Sequence, residues 1–199
     1  MKRLADSISK YISSELHYNE EKTEILSYGL QILLGTSISV VSTLVFAYFL
    51  SIFQSTLTVI TSYIIFRRLI GGSHYDTQTK CYFMGTLLIL SLGKLGEIIS
   101  LTATGVSILS ILLYVLSVKA TILWVPAGTE KKMIKNIKTR KKIKIEVIIL
   151  LTIWIIICNC LNSISISKYL ISSFLGVFLA FFLVTPLGYK FTNLKLLKS

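Results

Sequence analysis

LSYGLQILLGTSISVVSTLVFAYFLSIFQSTLTVITSYIIF, residues 26–66, contains no charged side chain. A helix rises about 1.5 Å per residue and needs about 20 residues to cross the apolar core of a bilayer, so this run is too long for one crossing and suited to two. Its most polar window, Ile52-Phe53-Gln54-Ser55, puts the break near Ser51 to Ser55. The rest of the chain continues the pattern. Hydrophobic residues make up 53% of the 199 and charged residues only 15%, the latter bunched between apolar runs, a balance foreign to soluble domains. Working outward, further spans are expected over about 81–92, 98–123, 145–162 and 169–189. The expected fold class is all-α: a polytopic membrane protein with six transmembrane helices, forming a single integral membrane domain over residues 1–199. Residues 1–24 are too polar for a signal peptide. There Leu4, Ile8, Tyr11, Ile12 and Leu16 recur at helical spacing, which predicts an N-terminal amphipathic helix lying in the membrane interface.

The formal charge of +12 does not imply a nucleic-acid partner, because lysine and arginine sit at the ends of the apolar runs and not in an aromatic-interleaved patch. Eight basic residues fall between 131 and 144, inside a basic loop expected over 124–144, and three (Arg67, Arg68, Lys80) in a loop expected over 66–80. By the positive-inside rule both loops and both termini are cytoplasmic, in a multi-pass protein of the cell membrane. The basic loop suits contact with anionic membrane lipid, or with an acidic peptide. Gly93, Lys94, Gly96 and Glu97 read as an external turn with Lys94 and Glu97 paired across i, i+3. Cys81, Cys158 and Cys160 are odd in number without a CxxC pair, which argues against disulfides and zinc.

The loop at 66–80 and the cysteine after it read FRRLIGGSHYDTQTKC. Gly71 and Gly72 let the backbone fold back on itself. His74 and Cys81 are seven apart, which on a straight helix separates them by about 10.5 Å along the axis, so the chain between them must bend if base and nucleophile are to meet. With Asp76, Thr77 or Thr79 capping the next helix, Cys81 falls in its first or second turn. There the helix dipole and a nearby imidazolium favour the thiolate. Sulfur can then attack a peptide carbonyl while His74 protonates the leaving amine. Asp76, Thr77 and Gln78 are candidates of equal standing to orient the imidazole. A purely polar turn is the other reading of the same residues. Two ligands without a third make no metal site, and no cofactor is implied.

The run Arg67-x3-Gly71-Gly72-x-His74-x2-Thr77-x3-Cys81, after two spans and at the head of a third, resembles the accessory gene regulator B (AgrB) family of bacterial membrane endopeptidases. So does Pro126-Ala-Gly-Thr129-Glu-Lys131-Lys132, with Gly128 and Met133 departing from the usual pattern. The resemblance implies a cysteine endopeptidase that removes the C-terminal part of an AgrD-like quorum-sensing propeptide. By analogy Cys81 is the nucleophile and His74 its base, and the acyl-enzyme thioester is passed to a group within the peptide, which cyclises. It also makes Arg67, Arg68, Lys131 and Lys132 partners for an acidic precursor tail, and a homodimer the expected assembly. The alternative is a small non-enzymatic transporter or export component with this loop as its gate, although the other spans lack the buried ionisable residues such pathways use. A membrane scaffold is a third reading.

Overall fold

The computed structural model describes residues 2–73, 75, 77–127, 136–162 and 167–192. Among them the elements are α1 (Lys2–Glu15), α2 (Glu20–Phe49), α3 (Phe53–Ile70), α4 (Gln78–Ile98), α5 (Ala103–Trp124), α6 (Ile137–Asn162), α7 (Ser167–Phe182) and α8 (Pro186–Phe191), with no strand. Four of them, α2, α4, α5 and α6, are long and apolar enough to cross a membrane. Apolar side chains such as Ile108, Leu112, Val115, Ile149, Ile153 and Ile156 are exposed along α5 and α6, as lipid-facing surfaces require. The chain is thus an all-α membrane protein. The two remaining expected spans correspond to α3, 18 residues with two arginines in its last turn, and α7, only 16 residues long.

The chain divides into two compact units, residues 1–45 and 46–199. In the first, the Ser27 hydroxyl of α2 donates to the Asp6 carboxylate of α1. The buried residues of α1 are the small ones, Ala5, Ser9 and Ser13, while Leu4 and Tyr11 are exposed and Leu16 lies past the helix end. The helix expected at the N-terminus is present, but the stripe it buries is one step round from the apolar one.

In the second unit α3 and α7 pack most closely. Small residues make this possible: a Cβ on Gly176 would sit 2.5 Å from the Val59 carbonyl oxygen. Polar groups inside the contact bond to each other, with Ser62 and Ser173 hydroxyls 2.8 Å apart and Trp154 Nε1 donating to Ser173 at 3.0 Å. Such pairing is how polar side chains are accommodated between helices that lipid surrounds. Phe66, Phe174, Phe181 and Val177 fill the adjoining core.

The pair is joined by α4, and here the expected turn at 93–97 is corrected. α4 runs unbroken to Ile98, and the chain reverses only after it. Gly93 and Gly96 are packing residues, seated against Thr56 of α3 and Ser172 of α7. Glu97 does not pair with Lys94; it accepts from Ser55 at 2.5 Å and meets Lys168 at 3.5 Å. On the other side α5 and α6 are tied by Tyr114 to Thr152, Asn159 to Ser110, and Asn162 to Ser107 and the Ala103 carbonyl. These contacts set the polarity of the bundle: the C-termini of α3, α5 and α7 and the N-terminus of α4 gather at one end.

Helix covers more of both loops than the sequence suggests. Phe66–Ile70 completes α3, where Arg67 and Arg68 face the negative end of the helix dipole, so the connection to α4 is only 71–77. Lys138, Arg140, Lys141, Lys142 and Lys144 belong to the first turns of α6, and Lys144 Nζ donates to the Ile122 carbonyl of α5 at 2.7 Å.

Candidate functional site

α3 stops at Gly71 for a steric reason. Gly71 has φ +72° and Gly72 φ +122°, the latter a region open essentially to glycine alone. Neither has room for a side chain: a Cβ on Gly71 would overlap the Ala127 carbonyl, and one on Gly72 the Arg67 guanidinium. The turn they allow is then fixed by four segments. Arg67 reaches back along its own helix end, Nη1 donating to the Gly71 carbonyl at 2.6 Å and Nη2 to the Ser73 carbonyl. Ala127, three residues past the end of α5, donates its N–H to the Ile70 carbonyl at 3.0 Å and forms an isolated parallel bridge with Gly71. Ser73 is buried: its N–H donates to the Leu183 carbonyl at 3.1 Å, and its hydroxyl lies 3.0 Å from Leu183 O and 3.3 Å from Gly188 O, between α7 and α8.

Beyond the turn, Thr77 is the N-cap of α4, its hydroxyl accepting from the Lys80 N–H at 3.3 Å while its carbonyl takes the first helical bond, from Cys81 N–H at 3.0 Å. Cys81 therefore sits in the opening turn, at the positive end of the α4 dipole, as a half-buried free thiol. Two phenols lie within electrostatic reach of it, Tyr63 on α3 and Tyr75 in the connection. The Tyr75 ring stands edge-on to Phe191 of α8, centroids 6.3 Å apart, and Phe191 in turn contacts Phe182 of α7. Burial pushes the Tyr75 hydroxyl above the ordinary phenol value, with the charge of Cys81 adding to it.

His74, Asp76, Lys131 and Lys132 lie outside the described residues. Gln78 opens α4. Thr77 uses its hydroxyl as a cap, and Arg67 directs both terminal nitrogens at loop carbonyls, whereas Arg68 is exposed on the last turn of α3. Sequence reading missed Ser73 and Tyr75. The long-range partners that give them roles, Leu183, Gly188 and Phe191, carry no local signal, although Thr185-Pro186 does mark a helix start.

The profile of the family Accessory gene regulator B (AgrB) matches residues 5–184. An AgrB-like protein of Clostridium perfringens (strain SM101 / Type A) is 28% identical over 160 residues, 79% of this chain and 75% of the relative. Accessory gene regulator protein B of Staphylococcus aureus (strain bovine RF122 / ET3-1) is 25% identical over 150 residues, 74% and 78% of the two chains. No solved structure matches. The family match runs through the glycine turn, Cys81, Ala127 and Leu183 alike, and on it the chain belongs to the accessory gene regulator B family.

Proposed function

We propose that this chain is a membrane cysteine endopeptidase of a quorum-sensing system, cleaving the C-terminal part of an AgrD-like propeptide at a cytoplasmic-facing site and promoting its cyclisation. The observation that carries the reading is the position of Cys81, in the first turn of α4 directly after a connection whose backbone is tied down on both sides. A side chain so placed faces the free N–H groups at the positive end of the helix. Its lone pair forms the S–C bond to the scissile carbonyl, the C–N bond breaks, and the imidazolium of His74 gives its proton to the departing amine. A thiol or hydroxyl of the bound peptide then displaces sulfur and closes the ring. Exchange of one thioester for another is nearly even in energy, and a site at the apolar boundary shields the intermediate from water. Arg68, Lys131 and Lys132 are the proposed contacts for an acidic precursor tail, Asp76 and Gln78 the proposed supports of His74, and a homodimer the proposed assembly.

The test is co-expression with the cognate propeptide, comparing wild type with Cys81→Ser, Cys81→Ala and His74→Ala for release of the C-terminal fragment, and searching for an acyl adduct on Cys81 by mass spectrometry. Loss of release in all three variants at normal expression is expected. Undiminished processing in Cys81→Ala refutes the peptidase reading and returns the connection to a gate or scaffold.

A further inference from the structure

We infer that Tyr75 is a catalytic residue of this site, its hydroxyl donating a hydrogen bond to the carbonyl oxygen of the scissile peptide as that oxygen gains charge. The inference rests on the peptidase reading above and adds a component that reading lacks. Attack by Cys81 sulfur moves the carbonyl π pair onto oxygen, and the resulting oxyanion needs a donor already in place.

Among the described residues, the Tyr75 hydroxyl oxygen is buried with no hydrogen-bond partner. A buried donor left unpaired costs free energy and calls for an explanation, of which a ligand atom that arrives during the reaction is one. Three features fix the position of this donor in the connection that leads to the nucleophile. Two residues before it, Ser73 is bonded to Leu183 and Gly188. Two residues after it, Thr77 caps the helix that carries Cys81. On its flank, Phe191 stands edge-on to the ring and is itself backed by Phe182. Burial raises the phenol above its ordinary value, and Cys81 lies close enough for its charge to add to that rise. The proton stays on Tyr75 throughout. The oxyanion collapses by re-forming C=O and breaking C–N, so the phenol stabilises charge without exchanging a proton.

The experiment is Tyr75→Phe, which keeps the ring and its packing, measured with Tyr63→Phe and Cys81→Ala on membrane-embedded protein and propeptide. Removing one such donor lowers kcat on the order of 10²-fold or more. The expected result is that loss in Tyr75→Phe with KM unchanged, and an unchanged rate of Cys81 alkylation by iodoacetamide without propeptide. Wild-type kcat in Tyr75→Phe, or the loss appearing in Tyr63→Phe instead, overturns the assignment. Slowed alkylation in parallel with slowed cleavage also overturns it, since the phenol would then be acting on the thiol. Processing that persists in Cys81→Ala is a separate failure, that of the peptidase reading itself.

Discussion

Replacing Arg67 by methionine keeps the length and helix propensity of the side chain but removes both donors to the connection, at the Gly71 and Ser73 carbonyls. A hydrogen bond from a charged donor contributes about 1.5–3 kcal/mol, so the two together hold the turn with about 3–6 kcal/mol. Against that loss stand three neutral bonds that survive, from Ser73 N–H, Ser73 Oγ and Ala127 N–H. At about 0.5–1.5 kcal/mol each they cannot replace the guanidinium, only soften its removal. Taking a net loss near 3 kcal/mol, and about 1.4 kcal/mol per factor of ten, the ordered turn becomes about 10²-fold less populated. Arg67→Lys, whose single ammonium reaches one carbonyl at a time, is expected to fall between, about 10-fold down. Hydrogen exchange followed by mass spectrometry on peptides covering the 71–77 connection reads this directly, with the Ser73 amide as reporter, and propeptide cleavage falls in step. Unchanged protection together with a raised KM for propeptide would refute the reasoning and make the guanidinium a substrate contact.

Two further outcomes follow from the packing. Gly176→Leu must push α7 off α3, because its Cβ would lie 2.5 Å from the Val59 oxygen and 3.0 Å from Ser62 Cβ. Overpacking of this kind costs about 1–3 kcal/mol, and at about 2–4 °C per kcal/mol the unfolding temperature in detergent drops by several degrees, while Gly85→Ala, with nothing within 4 Å, leaves it unchanged or slightly raised. Glu97, first among the causes, holds the Lys168 ammonium above its ordinary value of 10.5. Because the raised value belongs to the folded state, the contribution of the pair is complete below that ordinary value and disappears as pH rises through the raised one. The difference in unfolding temperature between wild type and Glu97→Gln is therefore constant from neutral pH to about 10 and shrinks above it; a difference that grows with alkalinity would contradict this.

Several elements were legible before any fold was known. The uncharged run at 26–66 could only be a pair of helices, and its break is where Phe49 and Phe53 bound α2 and α3. Thr77 and the residues after it read as a helix start, so Cys81 could be placed in an opening turn. Other elements depended on partners far away in the chain. Gly93 and Gly96 looked like punctuation because glycine breaks isolated helices, whereas here their missing side chains admit Thr56 and Ser172. The serines and threonines that weaken the hydropathy of α3 are the groups that bond inside the bundle, so a composition-based reading undervalues the helix at its centre. Arg67 read as a cytoplasmic loop charge and a partner for an acidic precursor tail; nothing local announces that its acceptors are carbonyls four and six residues ahead.

The joint between Ile70 and Ala127 is made of peptide groups alone. The lysine-rich segment begins just past Ala127, the residue whose main chain is bonded to the end of α3 and bridged to Gly71. Because the joint is main chain, replacing the side chain of Ile70 or Ala127 leaves both partners of the bond in place, and the end of α3 stays tied to the segment that follows α5.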